Sequence, residues 1–275
     1  MYAGTNIFML TGGVFGTHQK IDKNAHKHLL SLIEGIGVDC LVFPTKNDIL
    51  HFEGNNGPDS IKRKSPAKDE PWHFYDPFDA EDTQLIYLIE GHYKELVKQL
   101  KKGSPERAAF DAAWIAHAIV DGLTPAHHYP YEQELTELRG GNVHERDSVK
   151  SKLMIKGDTK RDSVKRNWGL WGVGGLLSMH AMFEGGVAFI MAPLSIKNAR
   201  PTEGDIETLI EVGYAEYFKR AAREIALLDM YERFYKRGWS PKLVRDVRNE
   251  LGPIVIKTLT LIWYSALRDA GLLKK

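Results

Sequence analysis

The stretch Ala113–Tyr129, AWIAHAIVDGLTPAHHY, sets ionisable side chains inside an apolar helical pattern. His117 and Asp121 stand four apart, so they project from one helix face, one turn apart. His127 follows beyond Pro125, where the helix is expected to have ended. An imidazole, a carboxylate and a second imidazole so close together are costly to bury without partners. A divalent metal would satisfy all three, since it takes neutral nitrogen and anionic oxygen donors. The fold must therefore bring this segment either hydrogen-bond partners or further metal ligands.

A second segment poses the same problem. Gly169–Leu194 is apolar and long enough to span a bilayer, yet it carries His180 and Glu184. A glutamate in mid-span is expensive in lipid, so a buried helix of a soluble protein is expected here, with no transmembrane segment. His180 and Glu184 again share a helix face at four-residue spacing, and a bound cation would compensate the buried carboxylate. The chain has one cysteine, Cys40, which excludes an intramolecular disulfide and a cysteine-based zinc site. Any metal ligands must then be His, Asp and Glu. A net charge of +1 argues against a polyanion as the main partner, although a local basic patch remains compatible with it.

Most of the chain reads as helix, with expected spans Ile21–Ile36, Gln84–Lys102, Pro105–Asp121, Asp205–Lys236 and Ser240–Ala270. Asp22 falls where a first-turn acid favours the helix dipole. Ser104-Pro105 and Ser240-Pro241 read as cap-plus-proline starts, and Gly103 as a stop. Cys40–Phe43 is at best one short strand. An all-α fold, a single multi-helix domain over 1–275, is expected. Two regions read as irregular: the polar loop Gly54–Pro71, and a charged insertion at about 139–168. Arg139–Trp168 holds nine Lys/Arg against four Asp/Glu and repeats RDSVK at Arg146–Lys150 and Arg161–Lys165. It reads as a solvated, mobile insertion or, more sharply, as a basic flap that attracts a phosphate-bearing substrate.

Four stretches together resemble the zinc-dependent phospholipase C superfamily, which shares its fold with the single-strand-specific zinc nucleases. They are Gly16-Thr17-His18; Gly57-Pro58-Asp59; Trp72-His73-Phe74-Tyr75-Asp76-Pro77; and the pairs His117/Asp121 and His180/Glu184 with His127 between them. The resemblance covers Gly16 to Glu184 and implies two to three adjacent zinc ions. One would be held by Asp59, His73, His117 and Asp121. A second would be held by His127, His180 and Glu184, with a water or hydroxide bridging the two. A third would be shared by Asp121 and His18. Asp59 would also be catalytic, orienting the attacking water.

Three departures stand out. The family's third zinc takes the amine and carbonyl of an N-terminal Trp, whereas here Met1 lies seventeen residues before His18 and no Trp precedes Trp72. The gap from His127 to His180 is long and holds the insertion. The family is generally exported, but the run MYAGTNIFMLTGGVFG has no basic segment before it. Location is therefore expected to be cytoplasmic, or secreted after trimming.

The activity implied is zinc-dependent phosphodiester hydrolysis, phospholipase C-like, on a phospholipid headgroup ester. Peripheral membrane contact would be compatible with it. A single-strand-specific zinc nuclease is the first alternative, and a metal-binding relative without turnover the second. Trp72, Phe74 and Tyr75 could pack against substrate, though most are expected to anchor their loop. His26, His28, His51, His92, His128 and His144 read as core or surface histidines outside the ligand set.

Overall fold

The computed structural model describes residues 16–66, 69–140, 146–192 and 196–273, and these form helices with no strand among them. The N-terminal run up to residue 15, with Met1 and Tyr2, and His144 lie outside the described residues. In chain order the helices are α1 (Thr17–Gly35), α2 (Lys46–His51), α3 (Pro58–Lys64), α4 (Gln84–Lys102), α5 (Pro105–Gly122), α6 (Tyr131–Arg139) and α7 (Val149–Leu153). Then follow α8 (Lys160–Trp171), α9 (Leu176–Met191), α10 (Glu203–Ala226), α11 (Met230–Arg237), α12 (Pro241–Asp246) and α13 (Gly252–Asp269).

The core is built around α5 and α13, whose sequences are apolar on nearly every face and therefore have to be enclosed. In α5 the alanines Ala108, Ala109, Ala112, Ala113, Ala116 and Ala118 are buried, and their small size lets neighbouring helices approach closely. The buried Trp263 of α13 fills the space opposite, and its indole N–H donates to the Ala112 carbonyl at 3.2 Å. Helix α4 pairs with α5 through Leu85, Ile89 and Leu96, and α1 packs on α13 through Ile21, Ala25 and Leu29. A smaller cluster, Phe74, Tyr131, Leu135, Ile155, Leu170 and Leu176, lies beside this core.

Helix boundaries differ from expectation in informative ways. Helix α1 begins at Thr17, not Ile21, so Asp22 lies in its second turn and no acid occupies the first. Cys40–Val42 is a 3-10 turn, with the Asp39 carboxylate accepting from the Leu41 amide, rather than a strand. The polar loop contains α3, which starts with Pro58 at its first position and Asp59 in its first turn. The long C-terminal patterns are interrupted. Helix α10 kinks at Gly213 (φ 78°), α11 is entered through Asp229 in the left-handed region (φ 49°), and a π-helical segment at Val247–Leu251 joins α12 to α13 just before Pro253.

The described residues of the insertion, 139–140 and 146–168, are packed rather than forming a mobile loop. Ser148 and Thr159 cap α7 and α8. Arg139 donates to the carbonyls of Ser151 and Lys152, and Trp171 Nε1 donates to the Leu153 carbonyl at 2.6 Å. Arg146 is buried against Glu132, and Lys152 pairs with Glu70.

By length and composition the stretch Lys160–Met191 could cross a membrane, but the chain breaks it at Gly174 (φ 78°) into α8 and α9. Sixteen residues of α9 extend about 24 Å, short of a hydrocarbon core of about 30 Å. The expected buried helix is buried on one side only. Phe183, Val187 and Ile190 face the core, while Met182 and Phe189 are 59% and 78% exposed.

Gly122, the last residue of α5, permits a close approach: a Cβ there would stand 2.5 Å from Leu85 Cδ2 and 2.6 Å from Phe218 Cζ. Gly185 on α9 has no atom within 4 Å of such a Cβ. Gly122→Ala should therefore lower stability by about 1–3 kcal/mol through overpacking. Gly185→Ala should raise it by roughly 0.5–1 kcal/mol through helix propensity. Urea unfolding of the two variants checks both signs.

Candidate metal centre

Asp121 lies at the C-terminal end of α5, where the chain turns through Pro125–His127. One of its carboxylate oxygens, Oδ2, is 3.2 Å from His117 Nε2, one turn earlier on the same helix. The other, Oδ1, is 3.3 Å from His18 Nε2 on α1 and 3.6 Å from His127 Nδ1. The imidazoles of His18 and His117 stack with centroids 4.2 Å apart. All four side chains are buried. A single carboxylate thus stands among three imidazoles from α1, α5 and the turn after it.

Among the described residues, two groups of side chains could hold metal ions, each with donor atoms lying within 4.8 Å of one another. The first is His18, Glu53 and His117; the second is His127, His180 and Glu184. In the second, Glu184 Oε1 is 2.9 Å from His127 Nε2 and 3.2 Å from His180 Nε2. The two rings stack 5.1 Å apart. Burial pushes the His127 imidazole down to about 4, so near neutral pH it carries one proton. Its Nδ1 lies 2.9 Å from the His73 carbonyl, which can only accept, and the ring's proton therefore sits on Nδ1. This leaves Nε2 as a lone pair facing a carboxylate oxygen. Such a contact calls for a cation or a shared proton between the two atoms, and the Nδ1–H bond to a backbone carbonyl is the usual support of a ligating histidine. The donor set fits a divalent metal in type and number.

The four residues expected around one zinc, Asp59, His73, His117 and Asp121, line one small cavity of about 10 Å³, the volume of a single small occupant. Asp59 Oδ1 is 3.6 Å from His117 Nε2. His73 Nδ1 donates to the Pro71 carbonyl at 3.0 Å, and its Nε2 accepts from the Lys62 ammonium at 2.9 Å. Burial, with help from that ammonium, holds the His73 imidazole well below its ordinary value. His18, 3.3 Å from Asp121, also belongs to the first group. The new member is Glu53, from the turn before α3, whose Oε2 is 3.4 Å from His117 Nδ1. Burial alone would lower His117, but the Asp121 and Glu53 carboxylates overcome it and hold the imidazole well above its usual range.

Histidines outside the set have other partners. His26 bonds the Pro44 carbonyl, His92 pairs with Asp111 at 2.9 Å, and His128 Nε2 donates to the Gly122 carbonyl at 2.8 Å. Trp72 and Phe74 meet edge to face, while Tyr75 packs on Phe218 in the core.

Beside the second group opens a cavity of about 670 Å³. His73 and His180 line it together with the apolar side chains Phe74, Tyr131, Leu135 and Leu177, and Val149, Lys152 and Leu153 of the insertion line it as well. Residues of the insertion therefore form part of the cavity wall. Its Arg146 and Lys152 spend their charge on Glu132 and Glu70. Set beside known proteins, the chain matches no family model, no curated protein and no solved structure.

His128 gives a pH signature independent of metal, because burial lowers its imidazole from 6.5 to about 4. Below pH 6.5 the unfolded chain takes up a proton that the native site refuses. Stability is therefore lost as pH falls from 6.5 towards 4. His128→Gln should flatten this decline in chelator-treated protein; an unchanged slope in urea unfolding across that window would refute the assignment.

Proposed function

We propose that this chain is a zinc-dependent phosphodiester hydrolase of the phospholipase C type, acting on a phospholipid headgroup ester. The observation that carries the reading is the pair of buried imidazole–carboxylate groups, connected through Asp121 and opening by way of His180 into a largely apolar cavity. Divalent cations held there would supply Lewis acidity, neutralising phosphate oxygens and lowering the pKa of a water towards neutrality.

The chain's own residues have separable tasks. His127 and His180 present Nε2 atoms, with the His127 tautomer set by the His73 carbonyl. Asp59, the most exposed carboxylate of the set at 36%, lies where it can orient a water and accept its proton. The Lys62 ammonium lines both the small and the large cavity and offers positive charge to a phosphate. Phe74, Tyr131, Leu135 and Leu177 exclude water and suit acyl or glyceryl carbons. The pairing of Arg146 and Lys152 with acids leaves little unspent charge on the wall for a polyanion, which favours lipid over nucleic acid.

The stacked rings of Phe74 and Tyr131, 5.4 Å apart, are a feature that suits a nuclease, where a base would stack. Assays on phosphatidylcholine, single-stranded DNA and a generic phosphodiester separate the readings. Hydrolysis of phosphatidylcholine, abolished by chelator and restored by zinc, is expected. Cleavage of DNA alone would replace the lipase reading with the nuclease one, and bound zinc without any hydrolysis would leave a metal-binding protein. Asp121→Asn should reduce bound zinc by more than about one equivalent, because its carboxylate serves both groups. Loss of a single ion with activity retained would contradict that shared role.

A further inference from the structure

Two buried carboxylates belonging to the neighbourhood of His18 and His117 have oxygens without a hydrogen-bond partner. Asp22 follows His18 by one turn of α1, on the same face, and is 1% exposed. Neither of its carboxylate oxygens has a hydrogen-bond partner. Glu53, 5% exposed, directs Oε2 at His117 and leaves Oε1 buried without a partner. Carboxylates are rarely buried in this way, since desolvation without compensation is expensive.

We propose that His18, Asp22 and Glu53 form a metal site of their own, taking a divalent cation on one imidazole and two carboxylates, with Asp121 as the ligand it shares with the neighbouring group. The resemblance to phospholipase C implies only His18 and Asp121 for this ion and draws the rest from an N-terminal residue. Asp22 and Glu53 make the site complete within α1, α5 and the turn before α3. The oxygen-rich set suits zinc or manganese rather than a soft, thiolate-seeking ion.

The site needs only metal binding, so it stands or falls separately from the hydrolase reading.

Zinc titration of chelator-stripped protein, with bound metal counted by mass spectrometry, tests the proposal. Asp22→Asn and Glu53→Gln should each bind about one equivalent of zinc less than the wild type, and combining Asp22→Asn with Glu184→Gln should remove a further ion. Asp22→Asn replaces an unpartnered buried carboxyl at nearly constant volume. It should therefore melt above the wild type in chelator and below it in zinc. Full zinc occupancy in folded Asp22→Asn and Glu53→Gln would overturn the assignment, as would a melting temperature below wild type in both conditions. A wild type that binds no zinc would also overturn it. Zinc binding at this site without phosphodiester cleavage would keep it and remove only the hydrolase reading.

Discussion

One carboxylate, Asp121, organises the centre of this protein. Its two oxygens lie within 3.6 Å of imidazoles on α1, on α5 and in the turn after α5. A buried carboxylate costs several kcal/mol unless it is surrounded in this way. That requirement fixes how the first helix, the fifth helix and the loop after it must meet. The alanines of α5 and the glycine that follows Asp121 are the steric counterpart of the same demand, because bulkier residues would keep α1, α4 and α10 from closing around it.

The metal-centre donors and the cavity wall come from different parts of the chain. The donors rest on elements belonging to or abutting the main core, whereas the wall draws on the smaller cluster of Phe74, Tyr131 and Leu135 and on α7. Arg139, Lys152 and Trp171 tie α7 down through backbone carbonyls and an acid. A segment rich in charge is thereby held in place by using that charge internally.

The two pairs His117/Asp121 and His180/Glu184 were legible in the sequence because four-residue spacing in an apolar helix carries its own geometry. The same spacing joins His18 to Asp22. Placing the start of α1 at Ile21 made Asp22 look like a first-turn acid, and the true start at Thr17 moves it onto the buried face beside His18. Glu53 had no such signal. It sits in a turn outside any periodic pattern, and its proximity to His117, sixty-four residues away, is purely tertiary. The helical class was readable from periodicity, while the kink at Gly213 and the π-helical segment before Pro253 were not, since each is a local break within a pattern that continues on both sides. The packing of the insertion was hidden for a related reason. Lysines and arginines look solvated until their particular acids and carbonyls are known.

Helix α9 presents Glu184 just before two consecutive glycines, of which only Gly186 is demanded by a neighbour, since a Cβ there would strike the Trp239 ring. Two glycines in a helix interior weaken it by about 2 kcal/mol relative to alanines. The turn of α9 with the weakest intrinsic helix propensity is therefore the one that follows the carboxylate, while His180 one turn earlier is flanked by better helix formers.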